Sequence, residues 1–229
     1  MRTIGLIGGM SWESSALYYR LVNEGVRDRL GGLHSARCVL WSVDFAEVER
    51  QQAEGRWADA AKLLAEAARR LVAAGADLVL ICTNTMHLVA DDVKAAVEVP
   101  VLHIGDVTAE AVRRAGLSRV GLLGTAFTME RPFLVERLAA QGVTAVVPGP
   151  ADRAEVHRVI YEELCLGVIR DESRRRYAEV IARLVAQGCE GIVLGCTEIE
   201  LLVTEANSPV PVFPTTALHA EAAVRAALA

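Results

Sequence analysis

The chain repeats itself, and the repeat limits the folds open to it. Arg70-Leu71-Val72-Ala73-Ala74-Gly75 leads into an apolar run ending at Thr83, and Arg183-Leu184-Val185-Ala186-Gln187-Gly188 leads into another ending at Cys196. The two segments align without a gap, 113 positions apart, so that Asp77 meets Glu190 and Thr83 meets Cys196. Gly5-Leu6-Ile7-Gly8 resembles Gly121-Leu122-Leu123-Gly124, and Pro100-Val101-Leu102 resembles Pro211-Val212-Phe213, in the same order. Helix–glycine–strand units look alike in general, but three matches in one order favour a duplication.

The pattern between these landmarks predicts strands over 3–7, 36–43, 78–82, 101–104, 120–123, 144–147, 191–194 and 210–213. It predicts helices over 14–29, 57–74, 107–115, 130–141, 154–166, 173–187 and 217–228. Continuous Val/Ile/Leu runs separated by helices indicate parallel sheets covered on both faces. The fold class expected is therefore α/β, with two pseudo-symmetric, flavodoxin-like parallel-sheet domains. The N-terminal one takes residues 1–105 plus 216–229, and the C-terminal one takes 106–215. In open α/β sheets ligands sit beyond the carboxyl ends of the strands. The active site is accordingly expected in the cleft between the domains, with matched residues on opposite sides of one ligand.

Composition narrows the function. Of 229 residues 52% are apolar, enough for sizeable cores and too many for a disordered chain. Net charge is −5 with no long basic run, which removes the simplest argument for nucleic acid. No apolar run reaches the length of a membrane span, and the start turns glycine-rich too early for a secretory signal. The expectation is a cytoplasmic protein acting on a small molecule. Cys38, Cys82, Cys165, Cys189 and Cys196 form no CxxC pair, so neither a disulfide framework nor a zinc site is expected.

Polar clusters follow the predicted strands. Gly8-Gly9-Met10-Ser11 is either an anion-binding turn or a tight turn in which Ser11 caps the helix. Cys82-Thr83-Asn84-Thr85-Met86-His87 carries more hydroxyl and amide groups than one helix cap needs. His87 is a candidate base or a hydrogen-bonded structural residue. Because neighbouring strand residues face opposite ways, Cys82 is expected to point away from the ligand when Thr83 points toward it. Gly195-Cys196-Thr197-Glu198 is the matched cluster. A helix beginning there would stabilise the Cys196 thiolate and lower its pKa. Glu198 is left as a cap, a ligand for an amino group, or neither. Gly124-Thr125 adds hydroxyl and backbone donors, and Tyr161-Glu162-Glu163-Leu164-Cys165-Leu166-Gly167 reads first as an amphipathic helix ended by glycine.

GLIGGMSWESS, CTNTMH, GLLGTAFTME, YEELCLG and GCTEIELL, in this order and spanning essentially the whole chain, resemble the aspartate/glutamate racemase family. The resemblance implies two α/β domains with the active site between them, no pyridoxal phosphate and no metal. It also implies a homodimer and two-base catalysis at an amino-acid α-carbon. Many relatives carry Cys-Asn-Thr where this chain has Thr83-Asn84-Thr85. That departure resembles a Thr/Cys subgroup specific for acidic L-amino acids, with Thr83 and Cys196 as the catalytic pair. The resemblance also implies ligand contacts at Met10, Gln52, Thr83, Asn84 and Thr85, and Thr125, Cys165 and Thr197 complete the set of candidate substrate-binding residues. A lysine that binds substrate in many relatives falls at Cys165, which leaves room for a broader substrate range. The rival readings are a non-catalytic amino-acid-binding protein and a related decarboxylase or cis–trans isomerase.

Overall fold

A computed structural model describes residues 1–229, which divide into two compact units, Met1–Ile104 with His219–Ala229, and Gly105–Leu218. The first unit is built from β1 (Ile4–Gly8), α1 (Trp12–Leu30), β2 (Cys38–Ser42), α2 (Phe45–Ala53), α3 (Trp57–Ala73), β3 (Leu78–Ile81), α4 (Ala90–Ala95) and β4 (Val101–Leu102). Helix α5 (Ile104–Arg114) then leads into the second unit. That unit holds β5 (Arg119–Gly124), α6 (Ala126–Glu130), α7 (Pro132–Ala140), β6 (Thr144–Val146), α8 (Pro150–Glu162), α9 (Asp171–Ala186), β7 (Gly191–Gly195) and β8 (Val212–Pro214). Helix α10 (Thr215–Leu228) closes the chain and belongs to the first unit from His219 onward. No helix is long and apolar enough to cross a membrane.

Each unit has a four-stranded parallel sheet, in the order β2-β1-β3-β4 and β6-β5-β7-β8, so the two share one topology. Helices pack on both faces of each sheet. In the first sheet Ile7, Val79 and Ile81 meet Leu64 and Leu71 of α3, while Ile4, Leu6, Leu78 and Leu80 meet Tyr18 and Val22 of α1 and Val224 of α10. Helix α3 forms because Ala60, Leu64, Ala67, Ala68 and Leu71 recur at helical spacing and bury one face.

The repeat has a structural cause. Ile7 pairs with Ile81 across β1 and β3, and Leu123 pairs with Leu194 across β5 and β7. Thus 116 positions separate the first strands and 113 the second, in agreement with the sequence alignment. Ile7, Leu71, Val79 and Ile81 share one apolar cluster, and their counterparts Leu123, Leu184, Ile192 and Leu194 share another. A Cβ on Gly5 would lie 3.3 Å from the Leu71 Cβ, and one on Gly121 would lie 3.3 Å from the Leu184 Cβ. Glycine lets the helix sit close to the central strand in both units. The matched acids also act alike. Asp77 Oδ2 accepts from the Thr3 N–H at 2.7 Å, and Glu190 Oε2 accepts from the Ser118 and Arg119 N–H groups at 3.2 Å. Both carboxylates tie down the start of a central strand.

The local pattern missed some elements. Helix α2 is capped by Asp44, whose side chain accepts from the Ala46 N–H at 3.1 Å, but only nine residues follow the cap, with Glu and Gln between the apolar positions. The helix expected over 130–141 runs from Pro132 to Ala140, and the short helix Ala126–Glu130 before it was not expected; Arg131, extended before Pro132, separates the two. The helix expected over 154–166 starts earlier, at Pro150, and ends at Glu162. A separate 3-10 turn, Leu164–Leu166, follows and is closed by left-handed Gly167.

Candidate active site

In the first unit the polar cluster lies where β1 and β3 end. Ser11 caps α1, accepting from the Ser14 N–H at 3.3 Å, so the tight-turn reading of Gly8–Ser11 describes its local structure. Gly9 is needed there for its φ of +90°, and its N–H donates to Ser15 Oγ at 2.7 Å. Met10 is buried in the same apolar cluster as Met86. Gln52 of α2 is buried, and its Nε2 lies 3.0 Å from Met86 Sδ. Met10, Gln52, Thr83, Asn84 and Thr85 therefore gather around one segment. Asn84 is buried, whereas Thr83 and Thr85 are partly open.

Cys82 and Thr83 part company. Cys82 is fully buried among Leu78, Leu80, Tyr18 and Val224, and burial pushes its thiol well above the ordinary range. Val79 and Ile81 lie on the opposite face of β3 from Leu78 and Leu80, in the cluster that holds Met10 and Met86, and Thr83 follows two residues beyond Ile81. The strand register makes Gly195 the counterpart of Cys82 and Cys196 the counterpart of Thr83. A packing role for Cys82 has a direct consequence. Cys82→Ala should lower stability by about 1 kcal/mol through a small cavity while leaving catalysis intact. Urea unfolding and an activity assay together check this, and lost activity in a folded variant would make Cys82 a reacting group.

In the second unit Cys196 follows the last residue of β7 and packs at the edge of the cluster holding Ile192 and Leu194. Its Sγ–H donates to Glu198 Oε2 at 2.9 Å. The expected lowering of the Cys196 pKa does not occur. The element after it is a five-residue 3-10 turn, Thr197–Leu201, and not a helix with a developed dipole. Burial, and after it the Glu198 charge, instead push the thiol well up. Glu198 is thus the acceptor for the Cys196 proton, an arrangement that the sequence spacing alone did not select.

Glu200, two residues on, has a buried Oε1 without a hydrogen-bond partner, and burial followed by the Glu198 charge pushes its carboxyl up to about 7. Thr197 Oγ1 lies 2.9 Å from Thr216 Oγ1. Thr125 is buried before α6, with Oγ1 3.3 Å from Thr128 Oγ1. Cys165 is exposed on the turn Leu164–Leu166, which packs on the turn Thr197–Leu201, and Cys165 contributes to the upward push on Cys196. Buried Glu163 anchors that turn, accepting from Ser173 Oγ at 2.6 Å and Arg158 Nη1 at 3.0 Å.

His87 and His219 are buried side by side in the first unit, and His219 also meets Tyr18. His219 Nε2 donates to the Leu102 carbonyl at 2.9 Å, leaving Nδ1 to accept from the Tyr18 hydroxyl at 2.9 Å. Burial pushes His219 down to about 4, and burial with the neighbouring imidazoles pushes His87 down too. Below the unfolded value of about 6.5 the unfolded chain takes up a proton that folded His219 refuses. Stability is therefore full above about pH 6.5 and falls toward pH 4, by up to about 1.4 kcal/mol per pH unit for this residue. Urea midpoints from pH 7 to 4.5 should show the decline, with a shallower slope in His219→Gln. A flat wild-type profile would contradict it.

Comparison with known proteins extends these features to a family. Residues 7–223 match the model of the Asp/Glu/hydantoin racemases. A crystal structure from Yersinia pestis, described as a candidate Asp/Glu racemase, shares 53% identity over 100% of both chains with a TM-score of 0.96. An aspartate racemase homologue from Pyrococcus horikoshii OT3 shares 34% identity over 100% of both chains with a TM-score of 0.90. The broad-specificity amino-acid racemase RacX of Bacillus subtilis (strain 168) is 22% identical over 172 residues, 73% of this chain and 72% of that one. With the doubled sheet and the matched strand-end clusters, these likenesses show that the chain belongs to the Asp/Glu/hydantoin racemase family.

Proposed function

We propose that this protein is a cofactor-independent racemase of aspartate and glutamate that works by two-base proton transfer at the α-carbon. The observation that carries the reading is the Cys196 thiol, held 2.9 Å from Glu198 at the same register position as Thr83 in the repeat. Racemisation removes a weakly acidic α-proton and returns one to the opposite face, so it needs two groups. In this reading Cys196 takes the α-proton of the L-enantiomer and Thr83 supplies a proton to the other face.

Glu198 prepares the base. The resting thiol is protonated, because burial and the adjacent carboxylate disfavour a second negative charge. A bound amino acid brings an α-ammonium, whose positive charge offsets that repulsion. The thiol proton then passes to Glu198, and the thiolate takes the α-proton. The substrate α-carboxylate becomes enediolate-like as the carbanion forms, and neutral donors suit that charge. Asn84, Thr85, Thr125 and Thr197 are the proposed donors. Met10 and Gln52 shape the side-chain end, Met10 by its apolar bulk and Gln52 by its amide.

One observation favours a second reading, a racemase of broad specificity. Exposed Cys165 brings no cation to a side-chain carboxylate. Incubation of single L-amino acids in D₂O separates the readings by NMR and chiral chromatography. The proposal expects α-deuterium and D-enantiomer from aspartate and glutamate, and little from apolar amino acids. Turnover of apolar amino acids at equal rates would favour broad specificity. Binding without α-exchange would mark a non-catalytic amino-acid-binding protein.

A further inference from the structure

Both nitrogens of His87 are committed to the backbone. Nδ1 lies 2.8 Å from the Thr83 carbonyl oxygen, and Nε2 lies 3.1 Å from the Ile104 amide nitrogen. The amide of Ile104 can only donate, so Nε2 must be bare, and Nδ1 carries the hydrogen and donates to Thr83. The ring is 3% exposed, with the His103 ring 4.7 Å and the His219 ring 5.6 Å away between centroids. A second ring proton would set N–H against N–H at Ile104.

The turn geometry explains why an imidazole is needed. Thr83 lies beyond Ile81, the last residue of β3, where strand pairing no longer fixes the peptide. In an α-helix the Thr83 carbonyl would accept from the N–H of residue 87. Here the segment Thr85–Val89 is a 3-10 turn, and the His87 N–H goes to the Asn84 carbonyl at 3.0 Å. The Thr83 carbonyl is left to the His87 side chain. The ring thereby ties the Thr83 peptide to the amide of Ile104 just after β4, and orienting that peptide orients the Thr83 side chain.

Building on the two-base reading above, we propose that His87 is a positioning residue that holds the Thr83 hydroxyl in line for proton transfer and takes no substrate proton itself. Loss of this hold would harm delivery to the Thr83 face while the Cys196 face still exchanges. In D₂O, starting from L-aspartate, the two processes separate. Return of deuterium from Cys196 gives α-deuterated L-aspartate, and delivery from the Thr83 face gives D-aspartate.

Two variants test the assignment, each first shown to be folded by circular dichroism. In His87→Gln the side-chain amide reaches the old Nε2 place, so Thr83 loses its donor. In His87→Asn the Nδ2 group sits near the old Nδ1 place and can still donate to Thr83. The ratio of racemisation to L-exchange should fall by ~10-fold or more in His87→Gln, as expected for a small misplacement of a reacting group. His87→Asn should recover most of the ratio. A proportional fall of both rates in both variants, or no advantage of Asn over Gln, would overturn the proposal.

A spectrum of the wild-type protein provides the decision if neither variant folds. Long-range ¹H–¹⁵N NMR should show His87 as the Nδ1–H tautomer throughout the active pH range. A tautomer change or titration that follows activity would make it an acid–base group instead. Wild-type protein that exchanges no α-proton of aspartate or glutamate would refute the racemase reading itself, a result distinct from these.

Discussion

Cys196→Ser should lower kcat for racemisation by at least ~10²-fold, the low end for removal of a general base. Serine nearly keeps the size of the side chain and can still donate to Glu198, so folding and substrate affinity should change little. An alcohol is a far weaker acid than a thiol, however, and Glu198 cannot convert it to a usable base. Because Cys196 is the group assigned to the L-proton, exchange into L-aspartate should fall together with racemisation. Chiral chromatography for the product and NMR for α-deuterium measure both. Near-normal rates in a folded Cys196→Ser variant would remove Cys196 from the mechanism.

Thr83→Val should produce a different defect of similar size. The substitution keeps the branched shape and deletes the hydroxyl, so appearance of D-aspartate should fall by at least ~10²-fold. Exchange into L-aspartate should persist, because the Cys196–Glu198 pair is unchanged. Thr83→Cys should act in the opposite direction, since a thiol is both a stronger acid and, once ionised, a more accessible base than an alcohol. Turnover from the D-enantiomer should rise more than turnover from the L-enantiomer. Enantiomers have equal free energy in water, so kcat/KM must stay equal in the two directions, and a matching change in KM should accompany the gain. Equal loss of both activities in Thr83→Cys would instead mark Thr83 as a hydroxyl donor to the substrate.

The features legible in the sequence are those set by residues near one another in the chain or repeated along it. The all-apolar run of β3 announces a strand buried on both faces, and the alignment of Arg70–Thr83 with Arg183–Cys196 carries the register that separates Cys82 from Thr83. The strand order in each sheet agrees with the flavodoxin-like expectation. What escaped the sequence depends on burial and on bends. The spacing Cys196-Thr197-Glu198 suggested a helix start with a lowered thiol pKa. The chain makes a short 3-10 turn instead, which leaves no dipole to speak of and brings a carboxylate against a half-buried thiol. The partners of His87 were equally hidden, because Ile104 is seventeen residues away and only the pairing of β3 with β4 brings it near.

In the proposed mechanism two different groups handle the α-proton on its two faces, and the isotopic content of the first product reports on this. L-aspartate with protium at Cα is incubated with the wild-type protein in D₂O, and D-aspartate is isolated at a few per cent conversion. Nearly all of this D-aspartate should carry deuterium at Cα, because its new proton comes from a solvent-equilibrated group on the opposite face. D-aspartate that retains the original protium would show one group carrying the same proton across, and would contradict the account.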